Sequence, residues 1–548
     1  MNFFAKDHRD IRFSYFFWFG LLLIMLLRSF YFGITYFHFL DDYNTYGIFY
    51  RRNANIFHDI ILYYRHFTWR PIAFFADAYI TQWFWPNMWV VLLFYTLMHF
   101  ATVFLFWRVM VLSKINFGLF GIIIISLTPI LAEAVYWIGA STRLVAGMFF
   151  SILSAYFLLR HIILDHWGSS AKKSLILYIV FNIISNGFFE QVIAFNLVFT
   201  LIIIILNRSR IFSYAKAIVL TPILGAVFIS IYYAVMAPHG RVGERAQLVS
   251  LYYIFPHFFR TTAAVGNLLI RTNYEISANG LLRGMNIMMT SVWGVSVLVL
   301  LILFSLLVFF IYLRTYLAFE DEREERFFMR LVIGILLAAA AFGPFYLLEP
   351  QSIPPRTVYP AIFGIAIFMD TILSMLATIR PIKIVRPIIS VLFILPFFII
   401  YIAEVNNYRL LEEVDKVVVN NFLQAFEESG YSDQKTIVLF NTQYTIADVT
   451  GGGNPHRLEN VTSSNWAMLG IANATSRDFY FRDIQPIQHN RNLPGVWANH
   501  GLFGLDEDLN IFRLELRGNA LYLQGTNIRF GRLDPYDTQH FTFVRGVD

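Results

Sequence analysis

The sequence has no cysteine and little charge. The first absence excludes a disulfide framework, a thiolate metal site and a cysteine nucleophile, and it leaves the redox compartment open. The second sets the class. Only 14% of the 548 residues are Asp, Glu, Lys or Arg, 57% are hydrophobic, and the mean hydropathy is +0.57. So few charges do not cover a soluble domain. No internal repeat stands out. The first apolar run follows Lys6, Arg9 and Arg12 and lacks a small-residue cleavage pattern, so it reads as an uncleaved anchor. A net charge of +6 raises the question of nucleic acid, but the basic residues sit in short loops between apolar runs. They are topology determinants, and no nucleic-acid partner is expected.

What is present is a series of apolar runs near 13–36, 88–112, 115–137, 143–164, 174–206, 216–236, 288–313, 331–348, 358–377 and 388–404. Crossing a hydrocarbon core of about 30 Å takes roughly 20 such residues. The basic loops at 108–114, 160–173, 207–216, 314–330 and 380–386 fall in the cytoplasm with the N-terminus under the positive-inside rule. The run 174–206 then begins and ends on the same side. Its middle, "SNGFFEQ", breaks it at Asn186, Gly187 and Glu190, so it reads as two short helices meeting near Gly187. The expectation is a polytopic α-helical protein of the cell (inner) membrane with about eleven transmembrane helices in 1–404. A small mixed α/β domain follows at 405–548 on the extracytoplasmic side. In that tail "TIVLF" and "NIFRLELRGNALYLQG" read as strands and "YRLLEEVDKVVVNNFLQAFEESG" as a helix closed by Gly430.

The external segments hold the candidate site. The first loop, 37–87, opens on the adjacent carboxylates Asp41 and Asp42, and apolar residues at helical spacing over 55–70 predict an interfacial helix ended by Pro71. The loop 237–286 carries Arg241, Arg245, Arg260, Arg271 and Arg283 against Glu244 and Glu275, the reverse of the charge bias expected outside. Arg356 adds a cation on the proline-stiffened "PQSIPPRTVYP". Arginine's planar fork takes phosphate oxygens two at a time. Acids and arginines together suit phosphate-activated group transfer: a carboxylate takes the acceptor's proton and cations stabilise the departing phosphate. Arg28, inside the first span, is read as snorkelling to the interface and lies outside this set. His58 and His66, eight apart, are poorly spaced for a shared metal. Adjacent acids permit a divalent cation such as Mg or Mn, and an arginine-held phosphate does not require one.

With these residues in place, the chain resembles the GT-C integral-membrane glycosyltransferases over 1–404. "FLDDYNTYG" is similar to their acidic motif in the first external loop, and "FTWRPIAFF", with Arg70, to the Arg-Pro that often closes it. "NGFFEQ", with Glu190, resembles their acidic residue between two short helices, and "PPRTVYP", with Arg356 and Tyr359, their late Arg-Tyr-Pro element. One departure is that 37–87 holds no lysine, where some members place a phosphate-binding one. The resemblance implies a sugar donor on a polyprenyl phosphate, a glycan, lipid or protein acceptor, Asp41 as general base with Asp42 supporting it, and inversion by single displacement. It implies substrate contacts at Arg70, Glu190, Arg356 and Tyr359; the reversed charge of 237–286 adds Arg241, Arg245 and Arg260 as further candidate substrate-binding cations. Two other readings stay open: an O-antigen-type polymerase or ligase, whose essential residues usually lie in a late external loop, and a non-enzymatic transporter of lipid-linked glycan.

Overall fold

The computed structural model describes residues 8–40, 42–47, 50, 70–163, 169–207, 223, 227, 249–318, 326–348, 353–376, 385–433, 435–440, 461–476, 478–487, 500–506, 508–517, 520–533 and 541–543. The expected interfacial helix at 55–70 and the expected span at 216–236 lie almost wholly outside them. The chain divides into two compact units. One holds Met1–Thr35, Phe57–Ala76 and Trp89–Val405; the other holds Tyr36–Ile56, Asp77–Met88 and Asn406–Asp548.

The first unit is helical. Its elements are α1 (His8–Ser29), α2 (Pro71–Tyr79), α3 (Trp89–Leu112), α4 (Leu119–Leu127), α5 (Ala132–Tyr136), α6 (Ile138–Ile163), α7 (Ser169–Asn186), α8 (Glu190–Leu206), α9 (Ile254–Asn267), α10 (Asn273–Met289), α11 (Val292–Ala318), α12 (Phe327–Leu347), α13 (Val358–Leu376), α14 (Val385–Leu392) and the first part of α15 (Ile394–Ser429). Among the described residues six helices are long and apolar enough to cross a membrane, or seven if α4 and the segment Pro129–Tyr136, bent by 40°, form one span. The chain is a polytopic helical membrane protein. Helix α11 shows why the bilayer is its solvent: Val299, Leu300, Ile302, Leu303, Leu306 and Phe310 are all exposed, a surface no aqueous protein leaves bare.

Polarity runs inward. In α3 the buried stripe contains Thr96, His99 and Thr102, while Phe94, Leu97 and Val111 face out. Arg28 follows the same rule and corrects the snorkelling expectation, since it is only 1% exposed. Where α12 and α13 pack together, a Cβ on Gly364 would lie 2.4 Å from the Gly334 carbonyl oxygen and from the Ala338 nitrogen. Only glycine allows that backbone approach, the small-residue packing of membrane helices. The break in 174–206 falls between Asn186 and Glu190, and the Gly187 carbonyl accepts the Ile72 and Ala73 N–H groups at 3.1 and 3.5 Å. The stretch read as an external loop at 237–286 is helical from Ile254, through α9 and α10.

The second unit holds the remainder of α15 from Asn406, α16 (Asn465–Thr475) and a seven-stranded sheet ordered β2-β1-β3-β4-β5-β6-β7. Strands β1 (Thr436–Phe440), β2 (Asp483–Ile487) and β3 (Gly501–Leu505) are parallel. Then β4 (Ile511–Arg517), β5 (Ala520–Leu523), β6 (Arg529–Leu533) and β7 (Phe541–Phe543) continue antiparallel. The strands expected at "TIVLF" and "NIFRLELRGNALYLQG" are β1 and the β4–β5 pair. One sheet core gathers Val438, Phe440, Leu502, Leu514 and Leu521. Phe422 and Phe426 of α15 pack edge-on or tilted against Phe481 and Phe503. The helix expected to end at Gly430 does so, with φ +65°, a left-handed cap that favours glycine. It is not a separate helix after the last span but the continuation of α15.

Candidate functional site

In the membrane unit, Arg70 precedes Pro71, which fits the first helical position because it has no N–H to leave unsatisfied there. With the first N–H groups of α2 tied to Gly187, the Arg70 side chain reaches Glu190 at the start of α8. Its Nη2 lies 3.1 Å from Glu190 Oε2, and its guanidinium stacks 4.1 Å from the Phe189 ring centre. The next residue, Gln191, turns into the bundle and donates to the carbonyls of Ala341 (2.9 Å) and Thr357 (3.1 Å). Thr357 closes the 3-10 turn Pro355–Thr357, which carries Arg356. The Arg356 side chain pairs with Glu133 of α5, its own N–H reaches Glu133 Oε2 at 3.2 Å, and its guanidinium lies 5.0 Å from the Trp137 ring centre. Tyr359, three residues on, is fully buried and shares a 2.8 Å hydrogen bond with His99 Nδ1.

Four expected residues therefore meet around one seam. Arg70 and Glu190 form one arginine–carboxylate pair, Arg356 with Glu133 forms another, the Gln191 side chain ties the start of α8 to the turn that carries Arg356, and Tyr359 follows that turn as the second residue of α13. Both pairs are partly exposed: 22% and 26% for Arg70 and Glu190, 33% and 15% for Arg356 and Glu133. Each guanidinium is held by a carboxylate on one side and an aromatic face on the other, so it is oriented while still reachable. Arg260 is exposed on α9, outside these pairs. Asp41, Arg241 and Arg245 lie outside the described residues. Sequence reading missed Glu133 and His99, although a lone ionisable residue within an apolar run, as in "ILAEAVYW" and "TLMHFAT", is the signal that marks intramembrane function.

In the second unit Asp42 is fully buried. Its Oδ2 accepts the Tyr36 hydroxyl and the Phe39 N–H (2.9 Å), and its own N–H donates to the Phe39 carbonyl. Asp42 thus ties its own backbone back to Tyr36 and Phe39. Around it lies a titratable cluster. His38 Nδ1 is 2.5 Å from Glu412 Oε1, and Lys416 Nζ is 3.0 Å from Glu412 Oε2. Burial opposes the Glu412 charge, but His38 and Lys416 overcome it and hold the carboxyl below its usual range. Burial pushes the Tyr43 hydroxyl well up, and Asp415, Glu412 and Asp42 add to that. Asn473, which opens an N-x-T triplet in the last turn of α16, is buried and bonded both ways to the Phe481 backbone, so its amide is part of the packed interior. Among the described residues no group of three or more His, Asp or Glu side chains is arranged to hold a metal. Comparison with family models, curated proteins and solved structures finds no match.

Proposed function

We propose that the chain is an integral-membrane glycosyltransferase of the GT-C type. It moves a sugar from a polyprenyl-phosphate donor to a glycan, lipid or protein acceptor on the extracytoplasmic side of the cell (inner) membrane. The observation that carries the reading is the seam joining Arg70–Glu190 to Arg356–Glu133 in a membrane-spanning unit. Oriented, reachable guanidinium groups suit a phosphate leaving group. In the reaction an acceptor hydroxyl oxygen attacks the anomeric carbon, and the bond from that carbon to the phosphate oxygen breaks. The phosphate departs with the electron pair, and Asp41 takes the hydroxyl proton. Direct displacement inverts the anomeric configuration.

The test is a screen of polyprenyl-phosphate-linked sugars on the purified chain, reading release of polyprenyl phosphate. General-base assistance is worth roughly 10²- to 10⁴-fold, so Asp41→Asn should lower turnover by about that factor with the protein folded. Wild-type turnover in that variant would remove the base assignment and favour the polymerase or ligase reading. Retained configuration would remove single displacement, and no release from any donor would remove the transferase reading.

A further inference from the structure

Among the described residues of the membrane unit two arginines are fully buried, Arg28 and Arg330, at 1% and 2% exposure. They have opposite surroundings. Arg330 Nη2 bonds Asp370 Oδ2 at 2.9 Å, so its charge is matched. Arg28 has no carboxylate partner among the described residues. Its guanidinium lies 4.4 Å from the Tyr401 ring centre, with His99 and Tyr359 within electrostatic reach, and its Nε and Nη2 make no hydrogen bond. The Tyr401 hydroxyl, beside Ser29, also lacks a well-formed hydrogen bond. A guanidinium does not deprotonate in proteins, and a buried charge with unmet donors is costly. Intramembrane charge that is neither paired nor solvated marks a functional site.

We infer that Arg28 and Tyr401 form a phosphate-binding site. The unmet groups are donors and the aromatic neighbours bring no negative charge, so the missing partner is an anion. Two N–H groups on one edge of the fork take two oxygens, and the hydroxyl takes a third, which suits a tetrahedral oxyanion. Arg28 sits in the last turn of the apolar helix α1, where the helix dipole favours a cation and where the headgroup of a membrane lipid would lie. The phosphate is a lipid headgroup's or a free ion's. Under the transferase reading it is the polyprenyl phosphate of the donor, and the inference rests on that reading only for the ligand's name.

Binding is measured without turnover, on the full chain in detergent, by titrating farnesyl phosphate, farnesol and inorganic phosphate. Farnesyl phosphate should bind the wild type at least tenfold more tightly than it binds Arg28→Gln, with farnesol indifferent to the substitution. Inorganic phosphate binding as tightly as farnesyl phosphate, and lost in the same variant, keeps the site and assigns it to the free ion. Equal affinity of Arg28→Gln and wild type overturns the inference, as does farnesol matching farnesyl phosphate. Should Arg28→Gln fail to fold, Tyr401→Phe decides, since it removes one donor and no charge: several-fold weaker binding supports the site and unchanged binding overturns it. A chain that binds through Arg28 yet transfers nothing keeps this inference and loses the transferase reading.

Discussion

Asparagine in place of Asp415 separates burial from charge. Asp415 is buried, with Oδ1 accepting the Val461 N–H at 3.0 Å. Burial pushes its carboxyl from the ordinary 3.8 to about 8, against the pull of Val461 and with a further push from Glu412. The folded chain then keeps a proton that the unfolded chain has released, so stability falls as pH rises from about 4 to about 8. Each unit of such a shift is worth about 1.4 kcal/mol. Asp415→Asn keeps the acceptor and cannot ionise. Thermal unfolding should find variant and wild type close at about pH 4 and the variant several degrees more stable at pH 8; the same pH-dependent loss in both would place the titration elsewhere. Glu412 acts in the opposite sense, adding stability above the carboxylate range that is lost in acid. Arg356 also gains a consequence from its partner. Arg356→Ala strands Glu133, at a cost of about 1–3 kcal/mol, and Glu133→Gln on top should restore part of it; additive losses in the double variant would dissolve the pair. The arginines were legible as cations because charge is rare in this chain. Their partners were not, because a sequence does not show which carboxylate an apolar bundle turns toward a given guanidinium.

At the scale of elements, the α12–α13 crossing makes the sharpest forecast. Gly364→Ala would drive a methyl group into the backbone of α12, which no side-chain rotation relieves. Overpacking of this kind typically costs about 1–3 kcal/mol. Gly266→Ala in α9 meets nothing within 4 Å and should gain up to about 1 kcal/mol from helix propensity. Unfolding of both variants in detergent checks the contrast, and equal stability would mean that the helices do not meet at Gly364. The break at Gly187 was legible because polar residues and glycine interrupt an apolar run. The continuity of α15 was not: hydropathy switches at Glu404, yet nothing there breaks the helix, so a change of solvent passed for a change of element. Helices α9 and α10 were hidden by reversed charge, which drew attention to their arginines and away from their helical spacing.

For the whole molecule, topology is the open measurement. A reporter placed after Gly430, beyond the end of α15, should appear outside, and one inserted in 320–326 should appear inside. Both on one side would remove the proposed orientation and the extracytoplasmic site with it. Class and tail composition were legible because hydropathy and strand alternation are local properties. The order of the sheet was not, since parallel pairing of β1 with β2 and β3 depends on residues far apart in the chain. That order has one more consequence. The edge strand β2 includes Pro486, and the strand at the opposite edge, β7, is three residues long. A proline withholds a backbone donor from any incoming strand, and a three-residue edge offers too short a template. Among the described residues, neither sheet margin then offers a second copy of this unit a full template to join, which guards against the edge-to-edge aggregation that threatens exposed β-structure.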